Sequence, residues 1–302
     1  MDGKKSNALF SGIMSALVSP LSEDGEVRER PLRRLVEWHL EAGLSGFYIC
    51  GGTGEGAVMQ PKARKLLAEC VVDAARGRCR IIDHIGAVDL ITAKDLARHA
   101  ARAGVDALSS VPPFFYPYGE DEVFNYYEAL SDCTDLPIIM YASPMSGAPP
   151  DAEAVERLMR IPGIAGIKWT SHNYYEMRRI KDINGGDINV INGPDETLVC
   201  GLLMGADAGI GSSYNVMPRL FAKLYEDFRA GRLQEALDAQ LKANKVIRLL
   251  FRHGIVNSVK DMLELIGYDV GYCTYPLKRL EPAEREAFHA ELRETGWPEG
   301  YI

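Results

Sequence analysis

Three short stretches hold the side chains best suited to chemistry: a lysine in "GIAGIKWTS", a tyrosine in "PIIMYASPMSG" and a glycine-rich turn in "YICGGTGEGAV". In the first, strand alternation puts Ile167 and Trp169 on one face and Gly166, Lys168 and Thr170 on the other. An amine on an inward face is desolvated, which favours its neutral form, and a neutral amine attacks a ketone to give a Schiff base. The alternative is a lysine that snorkels to solvent from a strand end. Tyr141 closes the apolar run of the second stretch at the matching level of a neighbouring strand, where a phenol can carry protons between a substrate hydroxyl and carbon. Otherwise it is a buried tyrosine with a satisfied hydroxyl.

The glycine-rich turn admits a relaxed GxGxxA reading through Gly52, Gly54 and Ala57, with Asp73 placed for a ribose contact. It can equally hold another anion. In "INGPDETLVCG", Gly193, Asp195 and Glu196 lead into a helix; Asp195 reads as a helix cap, whereas Glu196 can also present a carboxylate to substrate hydroxyls. Ser212 and Ser213 can donate to a ligand or cap their own loop. His39, His84, His99, His172, His253 and His289 form no HExxH or other closely spaced ligand group, and no GxSxG elbow occurs. The expected chemistry therefore uses lysine, tyrosine, carboxylates and backbone donors, with no metal and no organic cofactor.

These residues need a scaffold. Short β-like runs at "SALVSP" near Ala16 and at 46–50, 80–86, 106–111, 137–141, 165–169, 188–193 and 208–212 alternate with amphipathic helical patterns that often end in glycine. Eight such repeats predict an α/β fold, a (β/α)₈ TIM barrel over 1–231, with a doubly wound open sheet as the alternative. In a barrel, the glycine-rich turn is the second βα loop on the ligand-binding face, which weakens the pyrophosphate reading. Helical patterns alone follow Gly231, so 232–302 is expected to form a C-terminal helical appendage, with Pro282 opening its last helix.

Composition sets the outer limits. The chain has 302 residues, 47% of them hydrophobic and 25% charged, and a net charge of -8. That balance suits a packed globular protein and repels a nucleic-acid backbone. Six scattered cysteines read as buried free thiols of a reducing compartment. The start, "MDGKKSNALFSG", has no apolar core for a signal peptide, and no run approaches ~18 apolar residues, so a cytoplasmic location without membrane contact is expected.

Taken in order, "GGTGEG", "MYASP", "GIKWTS", "NGPDETLVCGLLMGADAGIGSSYN" and "NSVKDML" resemble the superfamily of pyruvate-dependent class I aldolases that contains N-acetylneuraminate lyase and dihydrodipicolinate synthase. The resemblance covers nearly the whole chain. It implies that Lys168 forms the Schiff base, that Tyr141 shuttles protons, and that Thr53 with backbone donors around Gly52 and Gly54 holds the pyruvate carboxylate. It further implies that Thr170, Gly193, Asp195, Glu196 and Ser212 bind a polyhydroxylated chain, and that the enzyme is a homotetramer. The sialic acid branch is favoured because Met145 stands where the synthase usually has an arginine. Other aldolases or synthases of the superfamily, or a non-catalytic keto-acid sensor, are the alternatives. Three departures stand out: Gly52 replaces a common Ser or Thr, the loop after Tyr141 is one residue short, and Phe115 takes the place of a Tyr lent across a subunit interface.

Overall fold

The computed structural model describes residues 9–302; the stretch read above for a leader lies largely outside them, and so does the Met145 side chain. The strands are β1 (Gly12–Ala16), β2 (Gly46–Ile49), β3 (Arg80–His84), β4 (Ala107–Ser110), β5 (Ile138–Ala142), β6 (Ile164–Trp169), β7 (Asn189–Asn192) and β8 (Ala208–Gly211). They pair in chain order, all parallel, and β1 closes on β8 through Gly12–Ala208 to Ser15–Gly211. Closure rules out the open sheet.

Helices α1 (Glu29–Glu41), α2 (Pro61–Ala75), α3 (Leu90–Ala103), α4 (Glu120–Ser131), α5 (Ala152–Leu158), α6 (Tyr174–Lys181), α7 (Leu198–Leu203) and α8 (Pro218–Arg229) follow the strands in turn. Local sequence explains their ends. Asp89 caps α3 by accepting from Thr92 N at 2.8 Å, and Gly104 ends it at φ 90, a conformation that costs glycine little. Pro61 and Pro218 open α2 and α8, where a missing N–H goes unnoticed. Then come α9 (Leu233–His253), α10 (Ile255–Leu265) and α11 (Pro282–Glu294).

Strand alternation divides the buried residues in two. Met14, Tyr48, Ile82, Ile139, Tyr141 and Ile191 form the core of the lumen, while Ile13, Phe47, Ile81, Met140, Ile167 and Trp169 face the helices. Apolar residues of α9 to α11 join the second cluster. Trp169 is fully buried there, so truncation to alanine should cost ~3–5 kcal/mol. That anchor holds the strand bearing Lys168.

The cysteine expectation needs correction. All six are free, yet only Cys50 and Cys70 are buried and Cys200 is exposed. Scattered spacing along the sequence separates pairing from non-pairing but does not assign depth.

Candidate active site

Lys168 comes from β6 and Tyr141 from β5, and their Cα atoms are partners in the parallel ladder. Strand parity therefore delivers both side chains to the lumen at one height. The Lys168 amine sits 4.0 Å from the Tyr141 ring centre and 4.7 Å from that of Tyr48. Lys168 is 6% exposed and Tyr141 7%, so the snorkelling alternative fails. Burial alone would push the Tyr141 phenol up, but the Lys168 charge and the neighbouring polar groups of Ser143, Lys168 and Thr170 outweigh it and hold the phenol below its ordinary value.

His84 lies beside this cluster, 6.0 Å from the Tyr141 ring centre and nearly perpendicular to it. Its Nδ1 donates to the Cys50 carbonyl at 3.1 Å, and its Nε2 accepts from Val111 N at 3.3 Å. Those roles fit one neutral tautomer. Burial and the positive charges of Arg64 and Lys168 push its pKa down to about 3, against the opposing Cys50 carbonyl.

Opposite lies the turn after β2. Thr53 shares a 2.6 Å hydrogen bond with Ser212, and Ser19 Oγ donates to the Gly54 carbonyl at 2.6 Å. A Cβ on Gly56 would fall 1.8 Å from the Cys50 carbonyl oxygen, so only glycine lets the turn close this tightly. Asp73 is remote from it, on the outer face of α2 and ion-paired with Arg33. The ribose contact required by the dinucleotide reading is therefore missing.

The loops after β6, β7 and β8 complete the wall. Gly193 approaches Thr170 so closely that a Cβ would lie 2.0 Å from Thr170 Oγ1. Asp195 corrects the helix-cap reading. Its Oδ2 accepts from Ser213 N at 2.7 Å and Ser213 Oγ at 2.6 Å, across to the β8 loop, and the turn it opens has no side-chain cap. A carboxylate in a first turn is ambiguous by sequence because the partner that claims it is remote along the chain. Burial pushes Asp195 up to about 6, opposed by the Ser213 donors. Glu196 Oε1 is 2.9 Å from His172 Nε2, and its carbonyl accepts from Asn244 Nδ2 of α9 at 3.0 Å.

Lys168, Tyr141, Gly52, Thr53, Thr170, Gly193, Asp195, Glu196 and Ser212 all line one cavity of about 840 Å³. Its remaining wall includes Ile247, Leu250 and Phe251 of α9, Ile255 and Val256 of α10, and Leu277. A second cavity of about 680 Å³ adjoins it at Tyr141 and Ser143 and is lined by Phe114, Phe115, Tyr116 and Tyr118. Sequence reasoning missed Tyr48, His84, Ser143 and His172. Lumen parity along β2, β3 and β5 could have found the first three; His172 lies on a loop and left no periodic signal. Among the described residues, no group of three or more His, Cys, Asp or Glu could hold a metal ion, and no helix is long and apolar enough to cross a membrane.

A closed eight-stranded barrel with a buried lysine and tyrosine at the carboxyl ends of adjacent strands defines the class: an α/β barrel with its candidate site at the carboxyl face. The dihydrodipicolinate synthetase family matches residues 9–295, and the chain belongs to that family. It is 36% identical over 254 residues to an Escherichia coli K12 protein named N-acetylneuraminate lyase, covering 83% of this chain and 85% of that one. Among solved structures, the Proteus mirabilis N-acetylneuraminate lyase superposes with a TM-score of 0.90 at 30% identity, covering 95% of this chain and 99% of the other. Clostridium difficile CdNal in complex with mannosamine gives a TM-score of 0.90 at 26% identity, with 95% and 99% covered.

Proposed function

We propose that the protein is a Schiff-base aldolase that reversibly cleaves N-acetylneuraminate to pyruvate and N-acetylmannosamine. The observation that carries the reading is the pairing of Lys168 with Tyr141 across β5 and β6 inside the cavity. The relatives named as N-acetylneuraminate lyases support the choice of substrate.

In this reading the Lys168 amine adds to the C2 ketone of the open-chain sugar and water leaves, giving an iminium that acts as an electron sink. Thr53, with backbone donors near Gly52 and Gly54, holds the C1 carboxylate. Tyr141, once deprotonated, takes the proton of the C4 hydroxyl, and the lowered value of its phenol beside Lys168 eases that deprotonation. The C3–C4 bond then breaks, its electron pair passes to the imine as an enamine, and the aldehyde sugar departs. Protonation at C3 and attack by water release pyruvate and restore the amine. Thr170, Gly193, Asp195, Glu196 and Ser212 receive the hydroxylated chain, which needs several fixed partners of this kind.

The same reading includes a cytoplasmic homotetramer. The exposed aromatic group Phe115, Tyr116 and Tyr118 beside the second cavity supports self-association, to be checked by light scattering. A second reading is cleavage of a shorter 2-keto-3-deoxy sugar acid, favoured by the engagement of Glu196 with His172. Borohydride added with pyruvate should fix a reduced pyruvyl adduct on Lys168. A cleavage panel of N-acetylneuraminate against 2-keto-3-deoxy sugar acids then separates the two readings, and no adduct at Lys168 sinks both.

A further inference from the structure

Glu55 sits two residues beyond Thr53 in the turn after β2, with φ 60, an uncommon backbone for a residue with a long side chain. Its side chain is wholly buried and carries a carboxylate, a combination that needs a partner. The partner comes from 205 positions further along the chain: Lys260 Nζ of α10, also wholly buried, lies 2.5 Å from Glu55 Oε1. Thr274 N donates to Oε2 at 2.5 Å, and Lys260 also donates to the Tyr272 carbonyl. The strand-like crossing of Gly271 with Leu21, together with Tyr272 N donating to the Leu21 carbonyl at 2.9 Å, lays this segment along the loop after β1.

An enclosed ion pair is a poor source of stability, since two apolar side chains of the same volume often do as well; in some proteins what it supplies is placement. Here it fixes a turn whose backbone must meet an anion at a set height. The turn contains Thr53, Glu55 N donates to the Gly52 carbonyl at 3.1 Å, and Thr53 reaches Ser212. We infer that Glu55 and Lys260 are positioning residues through which the C-terminal helices set the keto-acid carboxylate cradle. The inference rests on the aldolase reading above, in which this turn takes the pyruvate carboxylate.

Borohydride trapping at increasing pyruvate, followed by mass spectrometry, measures the half-saturating concentration and the extent of Lys168 labelling separately. For Glu55→Gln, half-saturation should rise about tenfold or more while labelling at saturation stays at the wild-type extent, a split that global loosening does not produce. Lys260→Met combined with Glu55→Gln removes both charges, leaves none stranded, and should show the same rise. If neither variant folds, Thr274→Pro removes the amide donor to Oε2, together with the Thr274 hydroxyl and the freedom of its φ, and should raise half-saturation about threefold or more. Half-saturation within about twofold of wild type in the folded variants overturns the inference. Absence of a Lys168 adduct in the wild-type protein at any pyruvate concentration instead overturns the aldolase reading itself.

Discussion

β6 and the turn after β2 face each other across one cavity and are built on opposite principles. β6 is regular where it carries the lysine: past a bulge at Ala165, every residue from Gly166 to Trp169 has a ladder partner on β7, and Ile167 and Trp169 face the helix layer while Lys168 lines the lumen cavity. The turn is irregular, with Cys50 and Glu55 at positive φ and Gly56 pressed against the Cys50 carbonyl. One wall is held by neighbours close in space and repeated in pattern; the other depends on single contacts from distant parts of the chain. On the proposed reading, the reactive Lys168 therefore sits on the wall that is hardest to displace, and the carboxylate-holding Thr53 on the wall that is easiest to reshape.

The largest expected effect tests the regular wall. Lys168→Met keeps the buried stem without the amine, so imine trapping and cleavage should fall to background while the melting temperature holds; residual turnover through another lysine would break the contrast. Tyr141→Phe should lower kcat by about 10²- to 10⁴-fold and still allow an adduct at Lys168, because it removes proton transfer and leaves the nucleophile. Single-turnover kinetics with N-acetylneuraminate would separate the two steps.

Gly56→Ala probes the irregular wall. The added methyl meets backbone, which cannot rotate away, so a loss of about 3 kcal/mol in urea unfolding is expected, together with weaker pyruvate binding. A neutral outcome would mean that the turn has slack.

Asp83, on the outer face of β3 behind this turn, offers a pH test. Burial pushes its pKa up to about 7, with Arg64 and Cys50 opposing. An acid with a raised folded pKa adds stability below its unfolded value of about 4 and loses that contribution as pH rises to about 7. Asp83→Asn lacks this loss. Its melting temperature relative to wild type should therefore climb between about pH 4 and 7 and level off above, with parallel curves as the contrary result. The smallest effect belongs to the exposed His172: His172→Ala should shift KM for the sugar a few-fold and leave pyruvate trapping unchanged, as for contacts at a solvated rim.

The contrast also explains what the sequence disclosed. Periodicity located seven strands to within two residues and caught only the end of β1, and the shared parity of Ile167 and Trp169 put Lys168 in the lumen on the condition that those two face the helices, as they do. Local rules suffice there, because the period of a strand survives folding. Asp195 was ambiguous for the converse reason: a cap and a cross-loop acceptor look identical along the chain, and only folding brings Ser213 to its carboxylate. The Glu55–Lys260 pair carried no local signal at all, although both residues lie within motifs that supported the family resemblance.

The shared level of Lys168 and Tyr141 has an evolutionary consequence. If Lys168 and Tyr141 make and break the bond as proposed, the scaffold should tolerate exchange of the loops that carry His172, Glu196 and Ser212, since the β5–β6 ladder, and not those loops, sets the shared level of the amine and the phenol. New specificities on this scaffold should thus arise by splicing loops, with the reaction inherited intact.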